Sequence, residues 1–483
     1  MHYIWIDSLC IVQDDADDWL AESAKMADIY QNGYLTVAAS AGRGSRDGLY
    51  HPPGNTNITF GEIHDFPVGV GLRRATKHPV YRGGSARSLD ANADFPLFTR
   101  AWVFQERMLS ARVVHFGPHE MFWECRKEGI CACNRHRIPM LSDSDLLENQ
   151  ALSSKSGLTE AMNRATTDQR AALWRDLVEE YSQLRLTKSS DKLPAIEGLA
   201  AVMRQMRWDE YVAGMWTETP LDLLWTAKTE RDFTKQDTPI STFPRASYRT
   251  LRWRAPSWSW ASVDADIIWT LSSKAGPGTF EEESSLNHVF FSAEYMLDGL
   301  DQRIKQSLQS NLHGRHSKPT LKLTGQVEPG TLFIDVPGRG ADTWLHIKSK
   351  LGEQVWSGLP TYSEDDWEDK YGGGYNYIQL DDPEDLVKLR RGSAKMKVMV
   401  MRMAAFPRKR RFGHQTSEVF EYCLILIETT PGRKEYRRVG VAIRVVGWSG
   451  FRLSSDPWDY RRPSWEEPSE EEEVAPKETL LVV

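Results

Sequence analysis

The sequence predicts an α/β domain with a mainly parallel sheet at the N-terminus, a helical region in the middle and a β-rich domain at the C-terminus. Near the N-terminus, a β-branched and aromatic run (YIWID, residues 3–7), a helical stretch and a second strand (LTVAASAG, residues 35–42) follow within about 40 residues, which is typical of a βαβ unit. From about residue 136 apolar residues recur at helical spacing. From about residue 251 short β runs alternate with Gly and Pro.

The N-terminal domain is predicted to begin with a strand and a helix. The first strand is expected to be buried on both faces, and the acidic cluster Asp14, Asp15, Asp17 and Asp18 opens the helix that follows, because carboxylates cap free N–H groups there. Residues 43–95 are predicted to be a long loop region with one strand near residues 68–72. A helix over residues 100–110 and two strands (ARVVHFGP and EMFWECR) complete the domain, which we expect to end near residue 135.

The rest of the chain divides into three parts. Residues 136–250 are predicted to be mostly helical, residues 251–462 to be antiparallel and β-rich, and residues 463–483 to be an acidic disordered tail. Two apolar stripes define the helices, namely Leu173, Trp174, Leu177, Val178 and Tyr181 in the first and Leu193, Ile196, Leu199, Ala200 and Met203 in the second.

Composition narrows the class of protein. With 483 residues the chain is too long for a peptide hormone or a disulfide mini-domain, and 60 Lys and Arg against 67 Asp and Glu give a net charge of −7, which offers no general attraction for nucleic acid or anionic lipid. The five cysteines are few and odd in number, which favours a reducing, cytoplasmic location. No run of 18 apolar residues and no signal peptide is visible, so we expect no membrane span.

Two blocks resemble the fungal HET (heterokaryon incompatibility) domain. The first, residues 3–40, contains W-I-D, L-C-I, a Gln, acidic residues and a helix ending in M-x-x-I-Y. The second, residues 100–126, contains R-x-W-x-x-Q-E and W-E-C. Later segments such as DKLPAIEGLA and APSWSWASVD resemble sequences that follow this domain. The family's first block, an S-Y-x-W-G type strand and turn, has no counterpart, so we expect the first strand of the sheet to be missing.

The resemblance implies a protein similar to regulators of fungal non-self recognition, which trigger programmed cell death as a form of innate immunity. The HET domain is similar to Toll/interleukin-1 receptor (TIR) domains, so a TIR-like fold is expected. Some TIR-like domains cleave NAD through a Glu in a W-x-x-x-E helix, and Trp102 and Glu106 match that spacing. The resemblance thus implies NAD as a substrate and no cofactor.

The candidate site residues follow from this pattern. Glu106 is the candidate catalytic carboxylate, because it can stabilise an oxocarbenium-like centre as nicotinamide leaves; the alternative is a structural ion pair with Arg100 or Arg112. Asp7 and Gln13 follow the first strand, where ligands bind in parallel sheets, or else they satisfy the backbone of the turn. The full candidate set is Glu106 as catalyst and Asp7, Gln13, Arg100 and Trp102 as ligand-binding residues.

Other motifs receive structural interpretations. A nucleophilic Cys10 with His115 as its base lacks a local protease signature. The spacing of Cys125, Cys131, Cys133 and His136 departs from zinc knuckles, so buried reduced cysteines are expected and no metal. The basic run PRKRR (residues 407–411) is expected in a solvated hairpin loop, and SWSWAS (residues 257–262) in a strand with its two Trp in the core. The Gly-rich residues 41–48 match no phosphate-binding loop.

Three functional hypotheses remain open at this point. The first is a HET-domain protein of fungal non-self recognition that signals by NAD cleavage. The second is a non-enzymatic module that self-associates and binds protein partners. The third is an inactive, truncated paralogue.

Overall fold

The computed structural model describes somewhat under three fifths of the chain, in 22 stretches. They are residues 3–50, 55–63, 66–73, 94–132, 137–138, 155, 158–159, 167–205, 209–227, 249, 253–269, 289, 291–296, 319–335, 344–349, 355–358, 377–382, 384–385, 388–389, 395–409, 417–446 and 477–483.

The chain forms two compact units. The first comprises Met1–Tyr211 with Gln302–Gly314, and the second comprises Val212–Asp301 with Arg315–Val483. The boundaries that the sequence predicts near residues 135, 250 and 462 stay a prediction.

The helices of the described part of the first unit form largely where the sequence predicts them. They are α1 (Asp7–Cys10), α2 (Ala16–Ser23), α3 (Met26–Asn32), α4 (Ala101–Leu109), α5 (Thr167–Ser182) and α6 (Pro194–Arg204), with short 3₁₀ turns at Pro96–Thr99 and Ser189–Lys192. The acidic cluster does open α2, since the Asp15 side chain accepts hydrogen bonds from the backbone N–H groups of Asp17 and Asp18. All residues of the two predicted stripes on α5 and α6 are buried.

The strands of the first unit form one mixed sheet and one hairpin. They are β1 (Thr36–Ala38), β2 (Asn55–Ile63), β3 (Phe66–Arg73), β4 (Arg112–Phe116), β5 (Met121–Cys125), β6 (Gly129–Cys131) and β7 (Arg137–Ile138). The sheet order is β1-β4-β5-β6-β7, and β2 pairs with β3 alone. Within the sheet, β1 and β4 are parallel and the other pairs are antiparallel.

Two expectations about this sheet are wrong. A mainly parallel sheet does not form, because β4, β5 and β6 are joined by turns too short for parallel neighbours, and a TIR-like fold is not confirmed. The run at residues 3–7 is not a buried strand: Tyr3 and Ile4 are 96% and 82% exposed, and α1 begins at Asp7. A β-branched run becomes a strand only where a neighbour satisfies its backbone, and none of the described strands pairs with it.

The second unit is dominated by a nine-stranded sheet, as the β-rich pattern predicts. The strands that follow α6 are β8 (Tyr211–Val212), β9 (Met215–Trp216), β10 (Trp225–Ala227), β11 (Ile267–Trp269), β12 (Phe291–Met296), β13 (Thr320–Asp335), β14 (Trp344–Ser349), β15 (Val355–Gly358), β16 (Tyr377–Leu380), β17 (Met396–Lys409), β18 (Ser417–Glu428), β19 (Glu435–Val446) and β20 (Lys477–Val482). The order of the nine-stranded sheet is β15-β14-β13-β17-β18-β19-β16, with β12 paired to β13 and β20 paired to both β13 and β19.

Three local predictions in this unit need correction. Residues 257–262 are not a strand but lead into a 3₁₀ turn, Trp260–Ser262, although Trp258 and Trp260 are buried as expected. Strand β20 lies in the stretch predicted to be disordered, because its apolar residues pair with β13; residues 463–476 lie outside the described residues. Of the basic run, residues 407–409 belong to β17 rather than to a loop, and residues 410–411 lie outside the described residues.

A close backbone approach in this sheet gives a test of the fold. At Gly440, where β19 pairs with β16, an added Cβ would lie 2.1 Å from the backbone oxygen of Gln379. Gly440→Ala should therefore destabilise the protein by about 2 kcal/mol or more in denaturant unfolding, since backbone must move. Gly44→Ala is the control, because its Cβ would meet no atom within 4 Å. Equal unfolding midpoints for the two variants would contradict the β16–β19 register.

Candidate functional site

A buried carboxylate fixes helix α4 against the sheet of the first unit. The Glu124 side chain on β5 is fully buried, and its two oxygens share a bifurcated hydrogen bond from Arg107 Nε on α4, at 3.1 and 2.9 Å. Lys155 Nζ lies 4.0 Å from the same carboxylate, and Arg107 also lies 3.9 Å from Glu180 on α5. Because a buried charge is tolerated only when it is paired, these contacts set how α4 is rotated on the sheet.

A buried hydrogen-bonded chain continues from this carboxylate to β1. His115 Nε2 lies 3.2 Å from Glu124, and His115 Nδ1 lies 3.0 Å from the hydroxyl oxygen of Ser40. An ionised carboxylate only accepts, so Nε2–H donates to Glu124 and Nδ1 accepts from Ser40. The imidazole stacks on Phe122 at 4.3 Å. All three polar side chains are buried, so this Ser–His–Glu chain is structural rather than an open nucleophilic site.

The protonation states in this cluster follow from its surroundings. Burial lowers the pKa of His115, so the ring is neutral at pH 7. Burial raises the pKa of Glu124, but Arg107, His115 and Lys155 lower it more, so the carboxyl stays ionised. Burial also lowers the pKa of Lys155, to about 8. The cluster therefore holds a paired set of buried charges at neutral pH.

The candidate catalytic residue, Glu106, lies on the neighbouring face of α4 and is partly buried. Its carboxyl hydrogen bonds with the hydroxyl of Tyr30 on α3, and the charges of Asp7 and Arg100 both act on it. Trp5 packs edge-on against Tyr30, with ring centroids 5.7 Å apart. The structure thus brings together three of the predicted site residues, Glu106, Asp7 and Arg100, and adds two aromatic rings beside them.

This environment changes the ionisation of both central groups. The pKa of Glu106 is raised to about 7, first by burial and then by the charge of Asp7, while Arg100 and the Tyr30 hydrogen bond oppose the rise only in part. Burial and the nearby carboxylates raise the pKa of Tyr30, so its hydroxyl stays protonated and can donate. A carboxyl that ionises near neutral pH suits acid–base or charge-stabilising chemistry.

The other two predicted ligand-binding residues make different contacts. Trp102 Nε1 donates to Asp191 Oδ2 at 3.3 Å, and its ring packs edge-on against Trp19 at 6.1 Å. The Gln13 side chain donates to the backbone oxygens of Ile11 at 2.9 Å and Asp7 at 3.3 Å, which closes the turn after α1. These contacts join parts of the protein to one another. Ligand binding by Trp102 or Gln13 stays a prediction.

The cysteine motifs lead to no site among the described residues. Cys10 is exposed, whereas both ring nitrogens of His115 are bound to Ser40 and Glu124. Cys131 is buried and its thiol donates to Glu120 Oε2 at 3.0 Å, while Cys133 and His136 lie outside the described residues. In the part of the chain that the structure describes, no three His, Cys, Asp or Glu side chains are grouped as metal ligands would be.

Comparison with known proteins identifies the N-terminal region. Residues 1–106 match the model of the family described as Heterokaryon incompatibility protein (HET). The chain carries a HET domain. The match ends at Glu106, so it includes α1 to α3, β1 to β3 and most of α4 but not β4 to β7. Searches of curated proteins and of solved structures found no match.

The HET domain indicates a function related to heterokaryon incompatibility. None of its described helices, nor any described helix elsewhere in the chain, is long and apolar enough to cross a bilayer.

Sequence reasoning missed Tyr30 and Trp5 as members of the site. In the sequence Tyr30 stands only as the last residue of the M-x-x-I-Y motif, which lies on α3. A Tyr on an apolar face carries a polar hydroxyl that needs a partner when buried, and that signal could have pointed to a nearby carboxyl. Trp5 lies in the run of residues 3–7 that the sequence predicts as a strand, and this strand does not form.

The raised pKa of Glu106 predicts a pH-dependent effect on stability. Between the ordinary value of 4.5 and about 7 the folded protein binds more protons at Glu106 than the unfolded chain, so stability falls as pH rises through this range. Glu106→Gln should therefore gain stability relative to wild type from pH 5 to pH 8, by roughly 3 kcal/mol at most. Urea unfolding at both pH values measures the difference. The same offset at both would show that the carboxyl titrates normally.

Proposed function

We propose that the HET domain signals fungal non-self recognition and programmed cell death by cleaving NAD, with Glu106 as the catalytic carboxylate. The observation that carries the proposal is the Glu106 group itself: a partly buried carboxyl, hydrogen bonded to Tyr30, beside Asp7, Arg100 and the Trp5 ring. The W-x-x-x-E spacing of Trp102 and Glu106 supports the same proposal.

Each residue of the group has a role that fits this chemistry. Nicotinamide leaves with the electron pair of its bond to ribose, positive charge develops on the ribose, and an ionised Glu106 stabilises it. A water molecule then bonds to the ribose carbon and loses a proton, which completes the hydrolysis. Asp7 is suited to accept from ribose hydroxyls, and Arg100 to pair with a phosphate. Tyr30 holds the carboxyl through its hydroxyl, and Trp5 offers a ring face or edge to an aromatic base.

A non-enzymatic alternative is favoured by one observation. Several large apolar side chains of the HET domain are exposed, among them Tyr3 at 96% and Leu9 at 79%, which is typical of an interaction surface. Under this alternative Glu106→Gln leaves cell death intact, whereas changes to the exposed apolar residues abolish it.

Nicotinamide release from NAD by the purified full-length protein tests the enzymatic proposal. Glu106→Gln should reduce the rate by at least about 100-fold, because it removes the charge that stabilises the cation. Glu197→Gln on α6 is the matched control, since Glu197 is also partly buried with a pKa raised by burial, to about 8, but pairs with Arg204 at 3.5 Å. No release from folded wild-type protein, at any protein concentration tested, would contradict the proposal.

The pH dependence of that release is a separate prediction. Because the ionised form of Glu106 is required and its pKa is about 7, kcat/KM should rise as pH increases from 6 to 8, with a midpoint near 7. Replacement of Asp7 by Asn removes a negative charge that raises the pKa of Glu106, so the midpoint should move to lower pH. A flat profile across this range would show that Glu106 does not act as a carboxylate in the rate-limiting step.

A further inference from the structure

The sheet of the HET-containing unit has one buried face and one apolar face that meets solvent. Strand register places Val37, Val114, Trp123 and Ile130 side by side in one row across β1, β4, β5 and β6. The next row, on the opposite face, holds Ala38, His115, Phe122 and Cys131, and all four are buried. Alternation along the strands therefore assigns the first row to the outer face.

The outer face is unusually apolar for a surface in water. Val37 is 52% exposed, Ile130 is 43% exposed and Met121, at the end of β5, is 46% exposed. Val114 and Trp123 between them are partly exposed. A sheet face that meets water normally carries polar side chains, so a contiguous apolar row marks a surface for docking.

The edges of this outer face carry positive charge. Arg112, at the start of β4, is exposed, and so are Arg126 and Lys127 in the turn between β5 and β6. A segment that docks here should therefore present apolar side chains together with carboxylates.

The N-terminal segment of the same unit has this composition. Its large exposed apolar side chains are Tyr3, Ile4, Ile6, Leu9 and Val12, of which Ile4 is 82% exposed and Val12 is 53% exposed. The exposed carboxylates Asp14, Asp15 and Asp17 follow directly. The apolar side chains and negative charges of this segment thus complement the outer sheet face. Within one molecule, however, neither surface covers the other, and both are exposed to solvent.

We propose that the chain self-associates head to tail, with the N-terminal segment (residues 3–17) of one copy docked on the outer sheet face of the next. The occupant is a second copy because the complementary apolar and charged surfaces are both present on this chain. In this head-to-tail arrangement each copy uses its segment on one neighbour and its sheet face on another, so the contact is heterologous and builds chains of copies rather than a closed dimer. The acidic side chains of the segment pair with the basic edges of the sheet face and so fix how the segment is oriented on it. Because salt screens these charges, added salt weakens the assembly.

Sedimentation velocity of the full-length protein over a hundredfold range of concentration tests the proposal. Wild type should grow beyond a dimer as concentration rises. Leu9→Lys, which breaks the segment, and Ile130→Glu, which breaks the face, should each be monomeric alone. An equimolar mixture should form a dimer and stop there, because each variant keeps one intact surface.

Several outcomes would overturn head-to-tail docking. These are a wild type that stays monomeric or stops at a dimer, single variants that assemble like wild type, and a mixture that stays monomeric. Should Ile130→Glu fail to fold by circular dichroism, charge reversals at exposed positions replace the apolar variants. Asp14→Lys with Asp17→Lys, and Arg126→Glu with Lys127→Glu, should each weaken assembly at least tenfold alone. Their equimolar mixture should again grow beyond a dimer, because the native segment meets the native face and the reversed segment meets the reversed face.

The test is independent of NAD cleavage. Glu106→Gln leaves both surfaces intact and should assemble like wild type, so loss of nicotinamide release in that variant does not bear on assembly. Conversely, a monomeric wild type that releases nicotinamide would refute self-association and leave the proposed enzymatic function standing.

Discussion

The buried ion pair between Arg107 and Glu124 is the constraint on which the site depends. A carboxylate removed from water on β5 is stable only if a cation pairs with it, and Arg107 on α4 supplies this charge through a bifurcated Nε–H hydrogen bond to both carboxylate oxygens, at 3.1 and 2.9 Å. Loss of that pairing would leave an uncompensated charge in the core. The pair therefore fixes the rotation of α4 as well as its position.

The Arg107–Glu124 pair also orients Glu106, which lies one residue earlier on α4. Successive helix residues point about 100° apart, so when Arg107 faces the sheet Glu106 faces α3 and the segment before α1. There its carboxyl meets the hydroxyl of Tyr30 and the charge of Asp7. Burial and Asp7 raise the pKa of Glu106 to about 7, and the Tyr30 hydrogen bond opposes this rise only in part. The Arg107–Glu124 pair thus determines the surroundings of the carboxyl that we propose as the catalyst.

The N-terminal segment links the proposed site with the proposed assembly. It carries Asp7 beside Glu106, and it also carries the exposed apolar residues that we assign to docking. Docking of that segment on a second copy would bury the surroundings of Asp7 further. The two proposals are tested separately, but they involve the same stretch of chain.

Most of the elements were determined by the sequence alone. The stripes on α5 and α6, the Asp15 cap of α2, the helix that holds Glu106 and the long strands of the second unit follow from local periodicity and capping, which act over a few residues. The HET resemblance likewise follows from short motifs, and the family match over residues 1–106 confirms it.

Only the tertiary structure decided the remaining features. Residues 3–7 have strand-like composition but no strand beside them, and β20 forms in an acidic stretch because β13 and β19 offer it hydrogen bonds. The same holds for the site: Glu106 and Asp7 were predictable as polar residues in motifs, but their proximity to Tyr30 depends on how α4 is held by a partner 17 positions further along the chain. Strand pairing and side-chain burial depend on contacts with residues distant in sequence, so a local sequence pattern does not predict them.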